Sequence, residues 1–452
     1  MFVSKFGGSS LADANQIKKV FGIVSSDRNR KVIVVSAPGK RYKSDRKVTD
    51  LLIQCARTQM NGEDISAVFS DLLDRYNSII KELALSDDIC RIIEADIKER
   101  IAQSTVLRSE EFLDLMKAAG EDNCAKLVAA FFTKSGLPAR YINPKDVGFY
   151  LSDHFGNAQV LPETYINLTQ LKSVEEIIVF PGFFGYTKKG KVITFSRGGS
   201  DITGSILAAA FDAELYENFT DVNNVFAVDP SLVPNAKAIK ELTYREMREL
   251  SYAGFNVYHE DALIPVFNKG IPVKIKNTNN PTTEGTTILP TREFSSDEPV
   301  VGISVAKEFM AINVSKLLMN TEVGFGRKLL SIIEEESIPF EHMPSGIDNI
   351  SIVINEHDAP PEVERRIVNQ IQDKLHSDEI SIRHDLAIVM LVGEGMLNTV
   401  GIAAKATRAL SDAGINIELI NQGASEVSLM FGVDVEYATK AVRSLYSAFF
   451  QH

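Results

Sequence analysis

From Phe2 to Asn277 the chain alternates short runs of β-branched and aromatic residues with stretches whose apolar positions recur every three or four residues. FVSKF (2–6) reads as a buried strand, and Ile17, Val20, Phe21 and Val24 mark one face of the helix that follows. KVIVVSAP (31–38) is the next strand. Across 62–118 the pattern is helical, with Val68, Leu72, Leu73 and Tyr76 on one face, which predicts an insertion of two or three helices. Strands return at EEIIVFPGF (175–183) and KVITF (191–195), a helix at ITGSILAAAF (202–211), and strands again at ELYENFTDV (214–222) and IPVKIKN (271–277). Such alternation predicts an α/β fold with a largely parallel sheet covered on both faces.

NNPTTEGTTILPTREFSSDEP (279–299) breaks the pattern and reads as a final hairpin edge followed by a linker. Beyond it the chain repeats itself. A shift of 77 residues lays FMAINV (309–314) on LAIVML (386–391), Gly324 on Gly401, Ile338 on Ile415, Gly346 on Gly423 and ISIVI (350–354) on VSLMF (427–431), without a gap. Each copy reads strand, glycine-started helix, short turn, strand, strand, so two tandem modules of one fold are expected.

Length changes the picture little: 452 residues call for two or three domains. Charge excludes more. A net charge of −12 argues against nucleic acid or an anionic membrane as partner, and no apolar run is long enough for a membrane span. Cys55, Cys90 and Cys124 have no metal or redox spacing, and no cluster among the seven histidines suggests a metal site. A cytoplasmic protein is expected.

Two loops carry candidate chemistry. VSKFGGSS (3–10) places two glycines after a strand and before a helical stretch, where free backbone N–H groups can hold an anion and Lys5 adds a point charge. Its lysine precedes the glycines, unlike the usual P-loop order, so a plain turn capped by Ser9 or Ser10 remains the other reading. TFSRGGSDITGS (194–205) repeats the arrangement with Arg197 before the glycines and Asp201 after the serine. Arginine's planar fork suits a carboxylate or phosphate, while Asp201 is also a candidate helix cap. Together the loops suggest two anions held side by side at the carboxyl edge of a parallel sheet. FTDVNNVFAVDP (219–230) holds Thr220, Asp221 and Asp229 around a polar turn that suits a base and ribose or only an Asx cap. VGEGMLNTVG (392–401) imitates a dinucleotide loop but lies inside the second repeat.

KFGGSS, VSAPG (35–39), VTD (48–50), GE (120–121), FSRGGSD (195–201) and TDVNNVFAVDP (220–230), in this order, resemble the aspartokinase family of amino-acid kinases over nearly the whole chain. The resemblance implies an αβα sandwich, carbamate kinase-like domain over 1–295, then two ferredoxin-like ACT modules over 300–380 and 381–452. It implies phosphorylation of aspartate by ATP with Mg²⁺, without a fused homoserine dehydrogenase. Lys5, Gly7, Gly8 and Ser9 are then expected at the transferring phosphates with Ser36 nearby. Ser36, Thr49, Glu121, Arg197 and Ser200 are expected at aspartate, with Arg197 on a carboxylate and Glu121 on the ammonium group. Asp201 positions Lys5, and Thr220, Asp221, Phe226 and Asp229 fall in the nucleotide segment. Phe226 stands where relatives often carry tyrosine, and Asn256 where many carry a lysine that Lys274 or Lys276 could replace.

ACT pairs in this family bind amino acids and join subunits, so feedback inhibition and a homodimer or dimer of dimers are implied. The resemblance puts the effector at Met319, Glu322, Gly324, Phe325, Phe340, Glu341 and Asp348. The acids among them favour lysine over threonine. The alternatives are another amino-acid kinase, acting on glutamate, acetylglutamate or UMP, and a catalytically silent amino-acid sensor.

Overall fold

The run FVSKF is the inner strand β1 (Phe2–Phe6), buried along nearly its whole length and flanked on both sides by parallel neighbours. The computed structural model describes residues 1–451 apart from Arg197, Ala253, Asn256, Val257, His259, Ser296 and Ala424. It falls into two units, one of 1–225, 238–251 and 256–292, the other of 226–237, 252–255 and 293–452.

In the first unit β1 is followed by α1 (Ala14–Ser25), capped by Asp13, whose carboxylate accepts from the Gln16 N–H. Then come β2 (Arg30–Val35), α2 (Val48–Met60), α3 (Ser66–Glu82), α4 (Asp87–Ala102), α5 (Ser109–Lys134), β3 (Ala139–Tyr141), α6 (Pro162–Leu168) and β4 (Ile177–Pro181). The insertion expected over 62–118 is therefore α3, α4 and the start of α5. A hairpin of β5 (Phe184–Tyr186) and β6 (Val192–Thr194) leads to α7 (Gly199–Phe211) and β7 (Leu215–Thr220). β8 (Glu241–Thr243), α8 (Tyr244–Tyr252), α9 (Leu263–Lys269), β9 (Val273–Asn277) and β10 (Thr286–Leu289) complete it.

One sheet runs in the order β3-β4-β2-β1-β7-β9-β10-β8, parallel from β3 to β9, with β10 antiparallel to β9 as the expected hairpin edge. KVITF does not join it. The turn between β5 and β6 is closed by Thr187 N–H to Lys191 O (2.8 Å), far too short for a parallel crossover. Phe6, Ile33, Val35 and Phe219 form one core with the apolar faces of α1, α2, α3 and α5. On the opposite face α7 packs on β1, β2 and β7 and against α9. Because β positions alternate, Lys5 faces α7 while Ser4 and Phe6 face α1.

The second unit holds a five-stranded antiparallel sheet. In chain order its elements are β11 (Gly302–Ser315), α10 (Phe325–Glu335), β12 (Asn349–Asn355), α11 (Pro361–Leu375) and β13 (Glu379–Val392), then α12 (Ile402–Asp412), β14 (Leu419–Asn421), β15 (Ser428–Asp434) and α13 (Ala438–Phe450). The 77-residue shift lays α10 on α12 and the first residue of α11 on that of α13. Each repeat thus carries a second helix that its hydrophobic pattern did not announce. β11 and β13 each serve both repeats. Gly302–Ala306 pairs with Ile388–Val392, whereas Ala311–Ser315 pairs with Glu379–Arg383. Between the halves each strand passes through an acid with left-handed backbone, Glu308 (φ 73°) and Asp385 (φ 55°), again 77 residues apart.

Candidate active site

The parallel strands end level with one another: Phe6 lies opposite Val35 and Phe219, and Val35 opposite Pro181. Backbone bonds carry the chain past these ends, from Gly7 N–H to Phe219 O (3.0 Å), Ser36 N–H to Phe6 O (3.2 Å) and Gly182 N–H to Val35 O (2.9 Å). Gly7, Gly8, Ser36, Gly182 and Thr220 are thereby gathered along one edge. The two loops nearest the centre touch backbone to backbone. Gly39 N–H donates to Gly8 O (2.8 Å), and a Cβ on Gly39 would lie 2.5 Å from the Gly8 carbonyl carbon. Only glycine fits there. After Gly8 comes one 3-10 turn, Gly8–Leu11, on which Ser9 sits half-buried, and Ser10 bonds Thr278 (2.7 Å) rather than capping α1.

Lys5 reaches this edge. A Cβ on Gly7 would stand 3.6 Å from Lys5 Nζ, so the ammonium lies beside the glycine turn. Its partner is Asp201 Oδ1 at 2.6 Å, with both side chains mostly buried. Asp201 is not a cap. The N-cap of α7 is Gly198, with φ 74°, and no side chain among the described residues caps the helix, which leaves the Asp201 carboxylate for Lys5. Asn218 on β7 was not picked out by the sequence pattern. It accepts from Lys5 Nζ (3.3 Å) through Oδ1 and donates from Nδ2 to Asp201 Oδ1 (2.9 Å). Ser200 is buried over Gly182, where a Cβ would come within 2.7 Å of the Ser200 Oγ. Arg197 lies outside the described residues.

Glu121 approaches from α5. The helix packs against the loop after β2 through Gly120, where a Cβ would meet Ala37 Cβ at 2.7 Å, and Tyr76 donates to Gly120 O (3.1 Å). Glu121 is buried and its Oε2 has no partner among the described residues. Burial pushes its carboxyl up to about 8, against the lowering effect of the Ala37 backbone amide. Thr49 is half-buried on the first turn of α2, next to Val48, which bonds Pro38 O (3.0 Å). Ser36, Thr49 and Glu121 thus bracket Ala37.

The loop between them is pinned by groups that carry no motif. Arg75 on α3 donates to Gly39 O (2.7 Å) and Ala12 O (3.2 Å) and pairs with Asp45. Arg41 and Arg75 hold the Asp45 carboxyl well below the usual carboxylate range. Such pairing across 30 and more residues has no local signal in sequence.

The nucleotide segment is divided. Thr220, which donates to Asp221 Oδ1 (3.1 Å), belongs with Asp221 to the first unit, and Phe226 and Asp229 to the second. Asp229 accepts from the Ser231 N–H (2.8 Å), an Asx turn. Asn256 lies outside the described residues. Lys274 and Lys276 project from the face of β9 opposite Lys5, since Lys5, Asn218 and Ile275 share a register line. Lys276 stands 5.8 Å from the Phe219 ring centre and is half-buried.

In the second unit Met319, Glu322, Gly324 and Phe325 form the turn into α10, with Gly324 left-handed (φ 82°). Glu322 is already paired, with Lys316 (2.7 Å) and Lys328 (2.6 Å), and these bonds bring its carboxyl down to about 2. Asp348 accepts from the Leu318 N–H (2.8 Å). Phe340 is half-exposed, and Glu341 accepts from the Tyr252 hydroxyl, its carboxyl raised by burial and Asp358.

A family model described as the amino acid kinase family matches residues 1–277, and one described as an ACT domain matches 389–449. Aspartokinase 3 of Bacillus subtilis (strain 168) is 52% identical over 450 residues, spanning 100% of this chain and 99% of that protein. The crystal structure of Clostridium acetobutylicum aspartate kinase superposes with a TM-score of 0.87 at 41% identity, covering 99% of this chain and 100% of that one. E. coli aspartokinase III in complex with aspartate and ADP shares the fold, with a TM-score of 0.77 at 23% identity and full coverage (100%) of both chains.

Proposed function

The chain belongs to the aspartokinases of the amino acid kinase family and phosphorylates aspartate with ATP; from that premise we propose that the Lys5–Asp201 pair beside the glycine turn is where the phosphoryl group passes. The acceptor needs no base: a free aspartate side chain, with pKa about 3.9, is already ionised at neutral pH. One of its oxygens attacks the γ-phosphorus, the bond to the bridging oxygen breaks, and ADP leaves with the electron pair. The task is to hold two anions in line and offset their charge.

Lys5 faces the phosphates with the N–H groups of Gly7, Gly8 and Ser9, while Asp201 keeps its ammonium aimed. Glu121, whose buried Oε2 has no partner among the described residues, receives the aspartate ammonium, and Ser36, Thr49, Ser200 and Arg197 are assigned to the carboxylates. Thr220 and Asp221 lie toward the nucleoside. The nucleotide enters as MgATP. Magnesium keeps water and phosphate oxygens as ligands and asks little of the protein. The observation that carries this reading is the 2.6 Å ion pair at the glycine turn. In a hydroxamate assay with aspartate and ATP, Lys5→Ala and Arg197→Ala should each lose about 10²–10³ in rate, as when a preorganised electrostatic donor is removed. Near-normal turnover in either variant contradicts the role given to that residue.

We further read 1–295 as the catalytic domain and 300–380 and 381–452 as ACT modules that bind an inhibitory amino acid, lysine, and join two copies of the chain. With Glu322 engaged by its own lysines, the preference for a cationic effector rests on Glu341 and Asp348. Three free cysteines accord with a cytoplasmic setting.

A further inference from the structure

Asn218 is a buried amide, 1% exposed, in the middle of a strand whose neighbours Tyr216 and Phe219 are fully buried. Burying an amide is costly unless its oxygen and nitrogen are both bonded. Here each end meets one member of the Lys5–Asp201 pair, oxygen to the ammonium at 3.3 Å and nitrogen to the carboxylate at 2.9 Å. Turning the amide over would set N–H against the ammonium, so the pair fixes its orientation. Direct pairing of Lys5 with Asn218 across β1 and β7 makes the triangle a consequence of strand register.

We propose that Asn218 is a positioning residue for phosphoryl transfer, holding the Lys5 ammonium in the orientation that leaves one N–H for the phosphates. The inference rests on the reading that Lys5 meets those phosphates. An ammonium has three donors; Asp201 and Asn218 take two, and the third is left toward the Gly7 turn. Asn218 also shares Asp201 Oδ1, so the lysine is anchored at two points and does not swing about a single oxygen. Its contribution belongs to the transition state, where charge on the transferring group is aligned with that N–H, and not to capture of aspartate.

The test replaces Asn218 in the full chain with leucine, close in volume and without polar ends, and with alanine, which leaves room for water and cannot clash. Both variants should show kcat lowered about tenfold, with KM for aspartate within about twofold of the parent. A general loss of packing would not divide the parameters in this way. In an Asp201→Asn background the same substitutions should cost little more, because the triangle is already broken. A kcat within twofold of the parent in either folded variant overturns the proposal, as do losses that multiply independently in the Asp201→Asn background. Lys5→Ala measured alongside separates the cases. If it retains turnover, the reading of Lys5 fails; if it is inactive while the Asn218 variants are normal, only the role of Asn218 fails.

Discussion

A single proton distinguishes two states of Glu121. With its carboxyl raised to about 8 by burial, the ligand-free protein at neutral pH carries mainly the neutral acid there. An aspartate ammonium at the same place favours the carboxylate, so binding should release up to about one proton near neutrality. KM for aspartate should therefore fall as pH rises toward about 8. Calorimetry in buffers of different ionisation enthalpy measures the proton directly, and Glu121→Gln should abolish both effects while weakening aspartate. Folding carries the opposite sign. A carboxyl whose pKa is higher folded than unfolded contributes stability that is full below its unfolded value, about 4.5, and lost as pH rises through about 8. Urea midpoints across that window should decline more in the parent than in Glu121→Gln. At this scale the sequence exposed Lys5 and Asp201, because glycine pairs and a leading cation are local patterns. It did not expose Asn218 or Arg75, whose partners are joined to them only by strand register and helix packing.

Elements position the site through contacts too close for side chains. Gly204 on α7 faces Tyr216 on β7, leaving no space for a methyl group, and the Tyr216 hydroxyl donates to the backbone oxygen of Asp201 (3.1 Å). Gly204→Ala should lift α7 from the sheet and carry Asp201 with it. Overpacking of this kind costs about 1–3 kcal/mol, so a lower unfolding midpoint should accompany a reduced kcat. Gly39→Ala should act at the other loop, forcing apart the Gly8 and Gly39 backbones; turnover at saturating aspartate and its dependence on ATP would measure the displacement. Element types were legible wherever period and length agreed, as for β1, α1, β7 and α7. β6 was misplaced because a short apolar run looks the same in a central strand and in a hairpin. α11 was missed because its core face, Ile367, Ile371 and Leu375, is narrow and set among charges.

For the whole molecule the regulatory reading makes one claim on turnover. Lysine should inhibit and threonine should not, with a coupling of about 1–3 kcal/mol, a 5–150-fold change in apparent affinity; inhibition by threonine alone contradicts it. A linker and an ungapped repeat were visible in the sequence. The exchange of strand halves was not, since a repeat in sequence says nothing of which copy pairs with which. Gly302–Ala306 closes the sheet beside the second repeat, and Glu379–Arg383 beside the first. Neither repeat is then a separable inheritance. A recombination event between two relatives with its crossover at 316–378 would join strand halves shaped by different histories, whereas one before 302 transfers the sheet entire. Chimaeras built to exchange effector response should obey the same grammar, with the pair moving together.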